Sequence, residues 1–366
     1  MKRHKILVVN WRDINNPEAG GAEVHYHEIF KRLNRDSFDV TVLASTFEGC
    51  ERESVIDGIP VSRRGSRLLF NYWIYANIHR FIKGRNFDLI VDDVNKIPFF
   101  LSRLTRKPVV SIFHHLFSSS IFHECSFIPA MYVWLSEKLI GPGYKNSHFS
   151  AVSKSTFDEL VGKGLKPELG TIIHNGIDLQ RYTPKRDEMV PNHLLFVGRI
   201  KKYKNTAFLI PLFAELKKRI PELTMTIAGG GDYLPQLRQM AEAHSGITVT
   251  GFVSEEEKIR LYRSAALFVN PSIKEGWSIT NIESCACGTP VLASDSPGLR
   301  DSVKSGLNGE LFPYNDLTSC VSKAEELLKN SKKLSELSFC ARTFAEQYSW
   351  DRSAAETTEF LNRFLK

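Results

Sequence analysis

Residues 274–295 read KEGWSITNIESCACGTPVLASD. Two glutamates, Glu275 and Glu283, stand eight positions apart in a run that is otherwise mostly apolar or small. A strand-like run, LFVNPS (267–272), precedes it, and Cys-Gly-Thr-Pro leads into a second one, PVLASD (290–295). Strand, loop, helix, turn and strand make a parallel unit covered by helices. Two solvated glutamates on a helix face would be the plain reading. Their company argues against it: Ile279, Ile282, small residues, and Pro290 leading the next strand.

The same alternation extends in both directions. Upstream, strands are predicted at KILVVN (5–10), VTVLAS (40–45), DLIVDD (88–93), VVSIFHH (109–115), HFSAVS (148–153) and TIIHNGI (171–177). DLQRYTPKRDEMVPN (178–192) is polar, carries two prolines, and reads as a linker. A second series follows: LLFVGRI (194–200), MTIAGG (225–230), ITVTGF (247–252), the two runs above, and GELFP (309–313). Near-continuous apolar strands between helical stretches predict an α/β protein with parallel sheets buried on both faces. The 366 residues suffice for two such domains. We expect doubly wound, Rossmann-like domains at 1–177 and 193–346, facing a central cleft. A final helix, 347–366, would pack back towards the first domain. No short-period repeat or low-complexity tract interrupts the pattern.

Ligands of doubly wound sheets bind beyond the carboxyl ends of strands, so unusual chemistry there matters most. After the first strand, Gly20 and Gly21 sit just before an amphipathic helix, where free N–H groups suit an anion. This is not G-x-G-x-x-G, and a nicotinamide site is poorly supported. His114 and His115 end another strand; no H-E-x-x-H accompanies them, and no metal site is expected. Arg199 and Lys204 follow the first strand of the second half, two cations suited to a diphosphate. AGGGD (228–232) resembles a nucleotide-binding turn, although such corners are common. Glu275 lies on a loop. A helix starting near Gly276 would leave the Trp277, Ser278 and Ile279 N–H groups unpaired, an anion cradle. Glu283 would lie two turns along, about 12 Å away if the run is fully helical. Both carboxylates can accept hydrogen bonds from sugar hydroxyls.

Together these motifs resemble the retaining glycosyltransferases of the GT-B fold marked by E-x₇-E, the group 1, family 4 type. The resemblance covers nearly the whole chain: GGAE, the strand-end His, AVSKSTFDEL, HNGID, GRIKKYK, AGGGD, and the block from GFVSEEEKIRLYRS to VLASD. It implies that Glu275 contacts the donor sugar near its reacting face and Glu283 the ribose hydroxyls. Arg199 and Lys204 would hold the diphosphate, and Gly20 and Gly21 approach it from the other domain. His114 fits the strand-end slot better than His115, and Val253 lies where backbone meets the base. Gly276, Trp277, Ser278 and Ile279 complete the donor set. Two departures stand out: Ser278 and Asn205, where the family often has Gly. The implied activity is transfer of a sugar from a nucleotide-diphosphate sugar to a glycan or lipid-linked acceptor, without metal or other cofactor. Rivals are a nucleotide-sugar 2-epimerase of the same fold and a non-catalytic nucleotide-sugar-binding subunit. Donor sugar, base, acceptor and oligomeric state are not written in these motifs.

Composition adds limits. The net charge is +7, and 62–87 holds six basic residues (Arg63, Arg64, Arg67, Arg80, Lys83, Arg85) and no acid, with interleaved aromatics. That run is either an ordinary helix face or a surface for anionic lipid or a phosphorylated acceptor, the lipid reading placing Trp73 and, from 118–141, Trp134 at headgroup level. No nucleic-acid motif accompanies it. No window is long and apolar enough to span a bilayer, and Trp-Arg-Asp cuts short the first apolar run before any cleavage site. Six scattered cysteines suit small buried residues in a reducing compartment. The expected location is cytoplasmic, with the inner membrane face as a possible surface.

Overall fold

The computed structural model describes residues 3–33, 38–123 and 126–365. The chain divides into two compact units: Met1–Ser119, Phe127–Gly176 and Trp350–Lys366 form one, Ser120–Ser126 and Ile177–Ser349 the other.

The first unit is built on an eight-stranded sheet: β1 (His4–Val9), β2 (Phe38–Thr46), β3 (Glu53–Ile56), β4 (Ile59–Ser66), β5 (Leu89–Asn95), β6 (Val109–His115), β7 (His148–Ala151) and β8 (Gly170–Ile172). The order is β3-β4-β2-β1-β5-β6-β7-β8, parallel except for the β3–β4 hairpin. Ile6 to Val9 and Leu89 to Val91 are fully buried, as strands covered on both faces require. The helix Trp350–Asn362 belongs here: the Trp350 ring meets His25 at 6.3 Å, and Ser353 Oγ donates to the His174 carbonyl at 2.7 Å.

The β3–β4 hairpin corrects the reading of 62–87 as one helical face. Asp57 (φ +49°) and Gly58 (φ +78°) form a two-residue turn in which both centres are left-handed, the Asp-Gly arrangement that closes antiparallel strands. Arg63 and Arg64 therefore lie on a strand. Arg63 is buried, with Nε and Nη2 on the Asp13 carboxylate at 2.6 and 2.9 Å. Arg64 pairs with Glu53, and Arg67 with Glu18 at 2.5 Å. Trp73 is half-buried against the core of the helix Phe70–Ile82. Arg63 and Arg64 are thus paired within the fold, while Arg67, largely exposed, shares Glu18 with Arg12. The run exposes Arg80, Lys83 and Arg85, and beside them apolar side chains: Leu68, Leu69, Tyr72 and Tyr75, and Phe127, Ile128, Tyr132, Leu135 and Leu139 from the neighbouring segment.

The second unit has a six-stranded parallel sheet: β9 (His193–Val197), β10 (Thr224–Ala228), β11 (Ile247–Gly251), β12 (Leu267–Asn270), β13 (Val291–Ser294) and β14 (Gly309–Phe312). Its order is β11-β10-β9-β12-β13-β14, with Leu267 opposite Leu194 where β12 joins β9. This is the doubly wound order that reverses direction beside its first strand. Leu194, Phe196, Leu209, Phe213, Met225 and Ile227 fill one face of the sheet. Residues 178–192 fall within this unit, and Tyr182 among them is buried.

Among the described residues no helix is long and apolar enough to cross a membrane. Cys285, Cys287 and Cys320 are buried thiols; burial pushes the first two up to about 12. Cys50 and Cys340 are half-buried, and Cys125 lies outside the described residues.

Candidate active site

A doubly wound sheet opens a crevice where its strand order reverses, at the carboxyl ends of the two strands that flank the reversal. In the second unit those strands are β9 and β12. Arg199 and Lys204 follow β9, and Glu275 follows β12. The Lys204 ammonium and the Glu275 carboxylate meet there in a hydrogen-bonded ion pair, each side chain only 12% exposed. Burial, the largest single influence, pulls the Lys204 ammonium down, but the charge and hydrogen bond of Glu275 together with Tyr203 outweigh it and hold Lys204 above its ordinary range. Arg199 is exposed, and its Nη2 reaches Tyr203 Oη at 3.3 Å.

Backbone packing sets these loops. A Cβ on Gly229 would stand 1.8 Å from the Gly198 carbonyl oxygen and one on Gly231 2.2 Å from the Ile200 carbonyl oxygen, so these two glycines of AGGGD serve close approach to the segment that carries Arg199. Ile200 N donates to the Gly230 carbonyl at 2.8 Å. Gly298 (φ +80°) does the same for the other loop: a Cβ there would lie 2.2 Å from the Glu275 carbonyl. Pro297 O accepts from Glu275 N at 3.0 Å. Sequence reading passed over Gly298, whose signal was a Pro-Gly pair just past a strand.

The two departures from the family pattern share a cause. Asn205 (φ +52°) and Ser278 (φ +64°) are both left-handed, the conformation glycine adopts freely. Asn tolerates it better than most side chains. Ser278 is held by a buried network: Asn270 Nδ2 donates to Ser278 Oγ at 3.0 Å and to Asn281 Oδ1 at 2.8 Å, and Asn281 donates to Ser302 Oγ at 2.9 Å.

Left-handed Ser278 also moves the helix start. The helix runs Ile279–Ala286 with Ser278 as its N-cap, not from Gly276. The orphan amides of its first turn therefore begin at Ile279. Gly276 and Trp277 lie on the loop, and Trp277 is buried against the Tyr348 ring at 5.1 Å. The run between the two glutamates is thus not fully helical, and the spacing of about 12 Å derived from a continuous helix does not apply.

Glu283 is buried inside this helix. Lys258 Nζ donates to its Oε1 at 2.8 Å, Tyr182 Oη to Oε1 at 3.1 Å and Tyr262 Oη to Oε2 at 2.8 Å. Lys258 also reaches Glu255 at 3.0 Å. Burial lowers the Lys258 ammonium, but Glu283 and Glu255 outweigh that and raise it. Burial and then Glu283 raise the Tyr262 phenol well above its ordinary range, so it stays a donor. Lys258 and Tyr262 were missed, although four-residue spacing on one helix puts them on a common face. Val253 is half-buried two residues beyond β11, beside Phe252, which is 90% exposed.

The remaining candidates lie in the first unit. Gly20 precedes the helix Gly21–Phe30. Glu23 fixes that entry: Oε2 accepts from Gly20 N at 2.7 Å and Oε1 from Asn95 Nδ2 at 3.0 Å. The glutamate of GGAE thus ties the glycine loop to the end of β5. His114 is buried with Nε2 on Asp93, while the His115 ring packs edge-on to Phe117 at 4.4 Å. Among the described residues, no three His, Cys, Asp or Glu side chains group so as to hold a metal ion.

Comparison with known proteins gives this arrangement a family. The model for glycosyltransferase family 4 matches residues 19–181, and that for glycosyl transferases group 1 matches 183–343. D-inositol 3-phosphate glycosyltransferase of Streptomyces bingchenggensis is 29% identical over 257 residues, covering 63% of this chain and 55% of that protein. The chain spans about half the length of the curated relatives it matches. Two solved structures resemble it in fold. Sucrose-phosphate synthase from Thermosynechococcus elongatus aligns with TM-score 0.82 at 18% identity, over 99% of both chains. Anabaena HepE in complex with UDP and glucose aligns at 0.80 and 19%, over 99% of this chain and 100% of that one. Matched in each half, and carrying two parallel-sheet α/β units, the chain belongs to the group 1 glycosyl transferases and has their GT-B fold.

Proposed function

We propose that the protein transfers a sugar, with retention of anomeric configuration, from a nucleotide-diphosphate sugar to a glycan or lipid-linked acceptor, and that it uses no metal. The observation that carries this reading is the Lys204–Glu275 pair where the second sheet reverses. When a glycosidic bond to diphosphate breaks, negative charge grows on the leaving group and positive charge on the sugar carbon. Lys204 and Arg199 supply fixed cations for the first, and Glu275 a carboxylate for the second. Charges already in place need no reorganisation as the bond breaks, which makes this kind of stabilisation effective. In this reading Glu283, held in place by Lys258 and two phenols, accepts from the ribose hydroxyls. The first turn from Ile279 supplies N–H groups to phosphate.

UDP and glucose in Anabaena HepE support a nucleotide-sugar donor. The exposed apolar side chains of 68–75 and 127–139 support a lipid-linked acceptor at a membrane surface, as in surface polysaccharide or glycolipid assembly.

The test is a thermal-shift screen of nucleoside diphosphates and their sugars, followed by transfer assays with the donor that stabilises most. A nucleotide sugar should raise the melting temperature, and transfer should continue in chelator. The product anomer, read by NMR, should match the donor. Conversion of donor without acceptor into a 2-epimer would replace transfer by epimerisation. No stabilisation by any nucleotide would overturn the reading.

A further inference from the structure

Where β1, β5 and β6 end side by side in the first unit, one buried carboxylate has both oxygens committed. Asp93, fully buried on β5, bonds His114 Nε2 through Oδ1. Its Oδ2 accepts from Asn10 Nδ2 at 2.6 Å. Asn10 is oriented by its other end, since Asn10 Oδ1 accepts from Arg12 N at 3.3 Å. His25, from the helix Gly21–Phe30, packs edge-on to His114 at 4.8 Å. Its Nδ1 is taken by Asn175 Oδ1 at 2.6 Å. Burial first, and His114 second, hold His25 well below the ordinary imidazole range, so it adds no charge beside His114.

An ionised carboxylate oxygen can only accept, so the His114 nitrogen bonded to Asp93 must carry a proton. That leaves Nδ1 as the nitrogen able to accept. We propose that Asp93 is the positioning residue for His114: clamped by Asn10, it fixes the Nε2–H tautomer, leaving Nδ1 to accept a hydroxyl proton from the bound sugar. The proposal rests on His114 being a donor-site residue, and it adds Asp93 and Asn10 as the pair that sets its chemistry. A second-layer partner of this kind orients a ring and selects its tautomer.

The arrangement makes a sharp substitution test. In Asp93→Asn, Asn10 still points its NH₂ at position 93. The new amide must therefore give Asn10 its oxygen and turn its own NH₂ to His114. Nε2 then has to accept, and the tautomer inverts. Adding Asn10→Asp lets the carboxylate at position 10 take the amide NH₂, and the amide oxygen returns to Nε2–H. Ring-¹⁵N NMR of the intact chain should show protonated Nε2 in the wild type, protonated Nδ1 in Asp93→Asn, and protonated Nε2 again in the double variant. kcat should fall about ten- to a hundredfold in the single variant, with donor KM little changed, and recover at least tenfold in the double. Wild-type His114 protonated at Nδ1 would overturn the proposal with no variant needed. So would loss of activity in Asp93→Asn without a tautomer change. Full turnover by His114→Ala would remove His114 from the donor site and leave the tautomer result standing, so the two failures are distinguishable.

Discussion

Lys204 and Glu275 are 71 positions apart in sequence and hydrogen-bonded in space, one after β9 and the other after β12. Their pairing holds both charges in a site from which water is largely excluded. Lys204→Ala, Glu275→Gln and the double variant should not lose activity additively. Each single change should cut kcat/KM about ten- to a hundredfold, with a coupling of about 0.5–3 kcal/mol in the double-mutant cycle. Steady-state kinetics of the four proteins would show it. Strict additivity would mean that the two residues act separately.

A second expectation concerns pH. Asp92 is fully buried; burial pushes its carboxyl up to about 7, against bonds from Tyr144 Oη at 2.7 Å and Leu101 N at 3.0 Å. Its folded value lies above the unfolded one of about 3.9. The folded chain thus binds the extra proton, and that stabilisation is complete below about pH 4 and lost as pH rises towards 7. Asp92→Asn removes the titration and keeps an acceptor for both donors. The melting temperature of the wild type should fall relative to the variant across this window, by up to ~4 kcal/mol in stability. Parallel curves from pH 4.5 to 8 would refute it.

Ser278 separates strain from hydrogen bonding. Ser278→Gly relieves the left-handed backbone, about 1 kcal/mol, but leaves an Asn270 N–H unpaired. Ser278→Ala loses the same bond and keeps the strain. In urea unfolding, stability should rank wild type, then Gly, then Ala, with Ala about 1–3 kcal/mol below wild type. Equal Gly and Ala variants would show that the backbone conformation costs nothing here.

Membrane association that serves the acceptor should draw chiefly on the apolar face. Binding to vesicles should persist near 1 M salt, where screening acts within ~3 Å. Leu68→Glu with Ile128→Glu, both at sites about 81% exposed, should reduce it tenfold or more without lowering the melting temperature. Arg63→Ala should instead destabilise the fold, by about 3–5 kcal/mol, because it strands the buried Asp13 carboxylate. Binding that vanishes in salt would return the role to cations.

The twelve strands expected from apolar runs all exist, because strands buried on both faces leave a continuous signature in sequence. The β3–β4 hairpin escaped notice although Asp57-Gly58 marks it; β4 carries two arginines, and the partner of Arg63 comes from elsewhere. Arg63 reads as surface charge until Asp13, 50 positions away, is seen beside it. The helix start was misplaced by three residues because serine does not announce a left-handed backbone. The placement of Arg199 and Lys204 after β9 and of Glu275 after β12 was legible through motif order. Lys258, Tyr262, Asp93 and Glu23 were not, since what they do depends on which side chain folding sets opposite them.

The helix Trp350–Asn362 completes a unit whose other residues were made long before it. On a ribosome, 190 residues separate Gly176 from Lys366, about 10–40 s of synthesis. Through that interval the His174 carbonyl waits for Ser353, and the buried His25 ring has no Trp350 against it. The second unit, nearly continuous from Ile177 to Ser349, is synthesised before the helix that closes the first. The half that begins first is therefore completed last in synthesis, and a stop codon near 349 would strand it unfinished.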